Sequence, residues 1–262
     1  MRRKFLKTIY FDNSKLWNKD NIEKLYEEDE NEEYTQEDTQ VSISEYISTG
    51  DEYIKNIPIF ENIKELELQE SITYFVWENG SGKSTLMEHI ATTIGFNKEW
   101  WTKNTLYNTN KIDNLENNWI SLSWQPSKFL SGYFFRAEGI YNFVNYLQDI
   151  EDWFTPYWWE NLHNLSHGQQ FMRIFEAQMD TVWIYILDEI ESALSPVNQL
   201  KVVEMIKYMV SKWSQFLIAS HSPIILSIKE NSQILSCDDG KIHEINYDSI
   251  PCVDMYRRIL TA

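Results

Sequence analysis

Glycine is scarce in this 262-residue chain, with 8 residues where ordinary usage would give about 18. Tryptophan, at 11, outnumbers it. Cysteine is scarcer still: Cys237 and Cys252 fit no metal-ligand or disulfide spacing, which excludes a disulfide framework and makes the reducing cytoplasm the expected compartment. No run approaches the roughly 18 apolar residues of a membrane-spanning helix. The basic start, residues 1–7, has no apolar stretch behind it, so a secretory signal is not expected either. Positive charge is the remaining shortage. With 23 Lys and Arg against 40 Asp and Glu, the net charge of -17 argues against broad nonspecific binding to nucleic acid.

The acidity is uneven. Between residues 20 and 40 ten carboxylates face one Lys24, a block contributing -9 and leaving about -8 for the rest. Such a block reads as a solvated, mobile insertion over 20–51, with a docking tail for a basic partner as the alternative. The remaining composition, 43% hydrophobic and 24% charged, suffices for one large α/β domain, read here as 1–262.

Strand patterns fall at 5–11, 63–68, 72–76, 119–124, 182–187 and 216–219, and a hairpin at 233–237 and 241–247 turns through Asp238-Asp239-Gly240. Helical spacing is read at 86–94, 133–150, 168–179 and 196–210. Alternating strands and helices imply a layered α/β fold with a mostly parallel sheet.

The strongest motif is Trp77-Glu-Asn-Gly-Ser-Gly-Lys83-Ser84, directly after the apolar strand at 72–76 and before a helix. It satisfies the P-loop pattern everywhere except its first position, where tryptophan replaces glycine. Backbone N–H groups at a helix N-terminus capture phosphates. The expected ATP-binding set is Asn79, Gly80, Ser81, Gly82, Lys83, Ser84 and Thr85, with Lys83 as the point charge and the Ser84 hydroxyl as a Mg²⁺ ligand. A Gly/Ser turn before a helix is the bland alternative, and the flanking strand and helix count against it.

The second motif is Val182-Trp-Ile-Tyr-Ile-Leu187-Asp188-Glu189, an apolar strand ending in paired carboxylates. This is the Walker B arrangement: Asp188 would hold the metal shell and Glu189 would act as general base toward water.

Two more stretches carry a family resemblance. Leu165-Ser-His-Gly-Gln169 is similar to the signature motif of ATP-binding-cassette proteins, with His167 in place of a glycine, and a Ser-capped helix is its bland reading. Ala219-Ser-His221-Ser-Pro223 resembles the switch-histidine loop of the same superfamily. From about residue 57 onward the chain resembles small stand-alone ATPases labelled AAA-family and grouped with RecF and SMC-like heads; Phe134-Phe-Arg-Ala-Glu138 and Leu187-Asp-Glu-Ile-Glu-Ser-Ala-Leu-Ser-Pro196 are among the telling stretches. Only about 40 residues separate Gln125 from the signature, too few for long coiled-coil arms. Ile190, where the family usually has proline, is a departure.

The resemblance implies a P-loop NTPase fold of ABC type, with an antiparallel β subdomain and a helical signature subdomain over 127–180. It implies ATP and Mg²⁺ as ligands, Gln125 as a further metal-sensing residue, and His221 at the γ-phosphate. It assigns Ser166, Gly168 and Gln169 to the γ-phosphate held by a partner copy, hence an ATP-dependent homodimer. By analogy the output is DNA repair or defence, with DNA or a nuclease effector as candidate partner. The alternatives are a transporter's nucleotide-binding subunit and a non-catalytic nucleotide-binding scaffold.

The family's glycines are expected at eight tryptophans: Trp77, Trp100, Trp101, Trp124, Trp158, Trp159, Trp183 and Trp213. Eight plus the eight present gives 16, near ordinary usage. A genome that reads UGA as glycine, translated by a table that reads it as tryptophan, gives this pattern; drift in an aromatic-rich protein is the alternative. A tryptophan held at positive φ at position 77 would carry strain of about 1–2 kcal/mol and weaken nucleotide binding.

Overall fold

The structure, a computed structural model, describes residues 5–12, 57–78, 80–96, 119–124, 132–139, 165–179, 184–238 and 240–261. The acidic 20–51 segment and most of 127–180 lie outside them.

In chain order the elements are β1 (Leu6–Phe11), α1 (Pro58–Asn62), β2 (Glu65–Glu67), β3 (Ile72–Val76), α2 (Lys83–Ile94), β4 (Ile120–Trp124), β5 (Gly132–Arg136), α3 (His167–Gln178), β6 (Ile184–Asp188), α4 (Pro196–Ser211), β7 (Gln215–Ala219), β8 (Ser232–Asp238), β9 (Lys241–Glu244) and α5 (Pro251–Thr261). Six strands form one sheet in the order β5-β6-β7-β3-β8-β9, parallel except for the β8–β9 hairpin. A separate antiparallel sheet runs β2-β1-β4.

The parallel strands explain themselves by alternation between two apolar layers. Ile72, Tyr74, Tyr185, Leu187, Phe216 and Ile218 face one cluster, shared with Phe171 and Phe175 of α3 and Val202 and Ile206 of α4. Phe75, Ile186 and Leu217 face the other, shared with Leu86 and Ile90 of α2 and Leu6 and Ile9 of β1. Because both faces are covered, the central strands read as continuous apolar runs. Tyr74 keeps its hydroxyl in this interior by donating to the Ile225 carbonyl at 2.9 Å, and burial drives its pKa far upward.

The helix read at 133–150 begins instead as strand β5, paired in parallel with β6 through Tyr133↔Tyr185 and Phe135↔Leu187. Gly132 lies so close to the Ile184 carbonyl and the Phe96 ring that a Cβ would not fit. Helix and buried strand share the same short aromatic run, so periodicity alone does not separate them. The described part of 127–180 therefore contains a strand of the main sheet as well as α3. Strand 63–68 shortens to β2, and α5 was not anticipated.

Candidate nucleotide site

Strands β3, β6 and β7 end side by side, with Phe75 opposite Ala219 and Asp188 opposite Ala219. This is the carboxyl edge of a parallel sheet, where crevices for ligands form. Between β3 and α2 stand Trp77, Glu78, Gly80, Ser81 and Gly82 among the described residues. Gly80 and Gly82 adopt left-handed backbone, φ 79° and 91°, which only glycine takes without strain. A Cβ on Gly82 would also collide with the Ile57 side chain. Ser81 Oγ donates to the Glu78 carbonyl at 2.5 Å, closing the turn. The first helical bond of α2 is Leu86 N–H to Gly82 O, which leaves the preceding amides without helical acceptors. Those amides and the positive end of the helix form an anion cradle.

Lys83, 4% exposed, is the hub. Its Nζ lies 2.7 Å from Glu189 Oε1 and 2.5 Å from His221 Nε2. An ammonium can only donate, so Nε2 accepts and the imidazole carries its proton on Nδ1. Burial and the Lys83 charge both hold the His221 pKa below its ordinary value, which keeps the ring neutral. Glu189 is pushed up by burial, but the Lys83 hydrogen bond and charge, with His221 and Arg136, outweigh this and leave its carboxyl below the usual range. Glu189 is also in left-handed backbone at φ 47°, its N–H bonded to the Ala219 carbonyl at 2.9 Å. A non-glycine residue there is uncommon and marks functional sites.

Asp188 is 2% exposed and its oxygens are divided. Oδ1 accepts from Ser84 Oγ at 3.2 Å, and Oδ2 lies 3.4 Å from Arg136 Nε. Burial raises its pKa to about 6 against the pull of Arg136. Arg136 also reaches Glu88 Oε2 of α2 at 3.2 Å. Ser84 Oγ and Asp188 Oδ1 are hard oxygen donors pointing at one another, a pair that suits Mg²⁺ arriving with phosphate oxygens. No cluster of three or more His, Cys, Asp or Glu that could hold a metal ion occurs among the described residues.

Of the residues expected from sequence, the fold brings Lys83, Ser84, Asp188, Glu189 and His221 together, with Gly80, Ser81 and Gly82 forming the turn above them. Thr85 sits in the first turn of α2, its carbonyl accepting from His89 Nδ1 at 2.7 Å. Asn79 and Gln125 lie outside the described residues. Ser166 and Gln169 are exposed at the start of α3 and form a capping box: Gln169 Oε1 accepts from Ser166 N and Oγ, each at 2.9 Å. Gly168 is pressed against the Ala193 carbonyl, 2.8 Å from where a Cβ would stand, so the start of α3 rests on the turn that follows Glu189.

Trp77 departs from expectation. Its φ is not positive; its indole is buried, edge-on to Phe75 with centroids 5.8 Å apart. The backbone strain expected there is absent. The cost is a buried Nε1 without a partner among the described residues, about 1–3 kcal/mol. Trp124 lies in β4, Trp213 has φ 80°, and the other five of the eight fall outside the described residues.

Two residues at the site were missed: Arg136, which follows the apolar run of β5, and Glu191, whose carboxylate bonds the His221 amide. For Arg136 the usable signal was a basic residue ending a strand beside the carboxylate strand.

No family model matches the chain. Among curated proteins, the cytochrome c biogenesis ATP-binding export protein CcmA of Rickettsia felis is 28% identical over 178 residues, covering 61% of this chain and 84% of that protein. Among solved structures, the SMC head domain from Thermotoga maritima matches at 16% identity over 69% of this chain and 92% of that one, with TM-score 0.40. The cbiO1 protein from Clostridium perfringens, part of the ABC transporter complex cbiONQ, matches at 15% identity over 75% and 86%, with TM-score 0.42. In its order of P-loop, carboxylate pair and histidine around Lys83, and in its relation to CcmA, the chain is similar to ATP-binding proteins of the ABC type.

Proposed function

We propose that the chain binds ATP on the 77–85 turn and hydrolyses it, and that two copies close around two nucleotides. The observation that carries this reading is the buried Lys83 ammonium held by Glu189 and His221 at the edge of the parallel sheet. A cation so placed, facing an anion cradle, is complementary to a phosphate chain.

The amides of the turn and Lys83 grip the β- and γ-phosphates. Ser84 and Asp188 would hold Mg²⁺, which supplies charge neutralisation on the phosphate oxygens. Arg136, by occupying Asp188 Oδ2, leaves Oδ1 turned toward Ser84. When Lys83 turns to phosphate, Glu189 loses the contact that lowers its proton affinity and becomes the stronger base toward water. His221, already neutral, has Nδ1–H to donate or Nε2 to accept. Ser166, Gly168 and Gln169, exposed or half-buried at a helix start, would complete the partner copy's site. On this reading the domain is a single unit spanning 1–262.

For the output, nucleic-acid maintenance or defence is the first reading, by family analogy. An ATP-binding subunit docked on a membrane partner is the second, favoured by the export protein of Rickettsia felis. Stimulation of turnover by DNA supports the former, and co-purification with a membrane protein the latter. The catalytic claim is tested by Glu189→Gln, which should lower turnover by about 10²–10⁴-fold and trap an ATP-dependent dimer in sedimentation. A variant that stays monomeric with ATP would contradict the dimer.

A further inference from the structure

Glu191 stands two residues beyond Glu189, in the short 3-10 turn Ile190–Ala193. Its Oε1 accepts the backbone N–H of His221 at 2.6 Å. An ionised acceptor makes such a bond roughly twice as strong as a neutral one. The other oxygen, Oε2, is buried and has no partner among the described residues. Drying a carboxylate oxygen without a donor is costly.

Within the 220–222 loop, the bond to Glu191 is the one that holds the backbone of His221 itself. The loop leaves β7 at Ala219 and belongs to no regular element before the 3-10 turn Ile225–Ser227. Its other bonds lie around it: Ser220 N–H donates to the Phe75 carbonyl at 3.5 Å, Ser222 N–H to Ser220 Oγ at 3.0 Å, Ser222 Oγ to Gln199 Oε1 at 2.6 Å, and Gln199 Nε2 to the Leu194 carbonyl at 3.0 Å. The loop is thus bonded near both ends of the segment 189–194. With Lys83 touching both Glu189 and His221, the arrangement closes into a ring: Lys83 to Glu189, along the chain to Glu191, across to the His221 amide, and through the imidazole back to Lys83.

We infer that Glu191 is the positioning residue of this ring: its carboxylate sets where the His221 backbone stands, and through it where the imidazole meets Lys83. Glu191 acts on His221 and not on the nucleotide. The inference rests on the nucleotide reading above for its catalytic consequence, but not for the contact itself. Since Gly168 rests on Ala193 in the same turn, a partner pressing on that turn would reach His221 through one carboxylate.

The test uses the full chain with Glu191→Ala and Glu191→Gln. Hydrogen exchange at the His221 amide and steady-state ATP turnover are measured together, with nucleotide affinity taken separately by titration. The expected result for Glu191→Ala is faster exchange at His221 and turnover lowered about 10–100-fold, the cost of a misplacement near 1 Å, with nucleotide affinity unchanged. Glu191→Gln still offers an oxygen to the amide and should restore slow exchange and most of the turnover. If Glu191→Ala does not fold, Glu191→Met, which keeps the bulk and lacks the acceptor, carries the same expectation. Unchanged exchange or unchanged turnover in the acceptor-less variant would overturn the inference, as would a Glu191→Gln defect as deep as that of alanine. Faster exchange in a chain that never turns over ATP would support the tether and sink the ATPase reading.

Discussion

An ammonium buried as deeply as that of Lys83 needs a counter-charge, and Glu189 provides it at 2.7 Å. His221 completes the environment by accepting and not by adding charge. That neutrality has a pH signature. A histidine whose folded pKa lies below the ordinary value of about 6.5 contributes stability that is present above that pH and lost as pH falls through the lower folded value. His221→Gln removes this titration. Between about pH 7 and 5 the melting temperature of the parent chain should therefore fall relative to His221→Gln; a difference that stays constant across that range would contradict the neutral, lysine-bonded ring. The residues of this hub were legible in sequence because their chemistry depends on local spacing: Gly-Lys-Ser before a helix, Asp-Glu after a strand. Arg136 and Glu191 were not, since each acquires meaning only from a partner brought by sheet register or loop path.

At the scale of elements, the end of α4 shows what the chain demands of one position. Trp213 N–H bonds the Val210 carbonyl and Ser214 N–H bonds the Met209 carbonyl, each at 3.0 Å, the paired bonds of a Schellman stop. The residue between them must be left-handed, and Trp213 takes φ 80° with its side chain half exposed. Glycine is the residue this geometry favours, in keeping with the glycine expected at 213 from family resemblance. Trp213→Gly should raise stability by about 1–2 kcal/mol, read as a higher urea midpoint with an unchanged slope. A lower midpoint would show that the indole contributes more than the backbone costs. Trp77 teaches the opposite lesson, because its backbone is relaxed and only its buried indole N–H is unsatisfied. Among strands, β3, β6 and β7 were readable because burial on both faces makes them continuous apolar runs. The same property hid β5, whose Tyr133-Phe134-Phe135 run suits a helix equally well until β6 is known to lie beside it. Helix α5 escaped notice although Met255, Tyr256, Ile259 and Leu260 give it an apolar, exposed side.

Across the whole molecule, strand order does the assembling. Placing β3 beside β7, with β6 next, brings a turn near residue 80, a carboxylate pair near 188 and a histidine at 221 to one sheet edge, although the first lies more than 100 residues before the other two. Sequence order predicted the α/β class and the company these motifs would keep, but not which side chains would bond. Ser166, Gly168 and Gln169 stand at the start of α3, outside the Lys83 ring, and it is the proposed dimer that would bring them to a nucleotide. No helix among the described residues is long and apolar enough to cross a membrane. The most direct test of the central claim is phosphate release from ATP, with and without Mg²⁺, by the full chain and its Lys83→Ala variant. The account predicts Mg²⁺-dependent release that falls by about 10²-fold or more when the ammonium is removed. No release by the parent chain, or equal release by both, would contradict it.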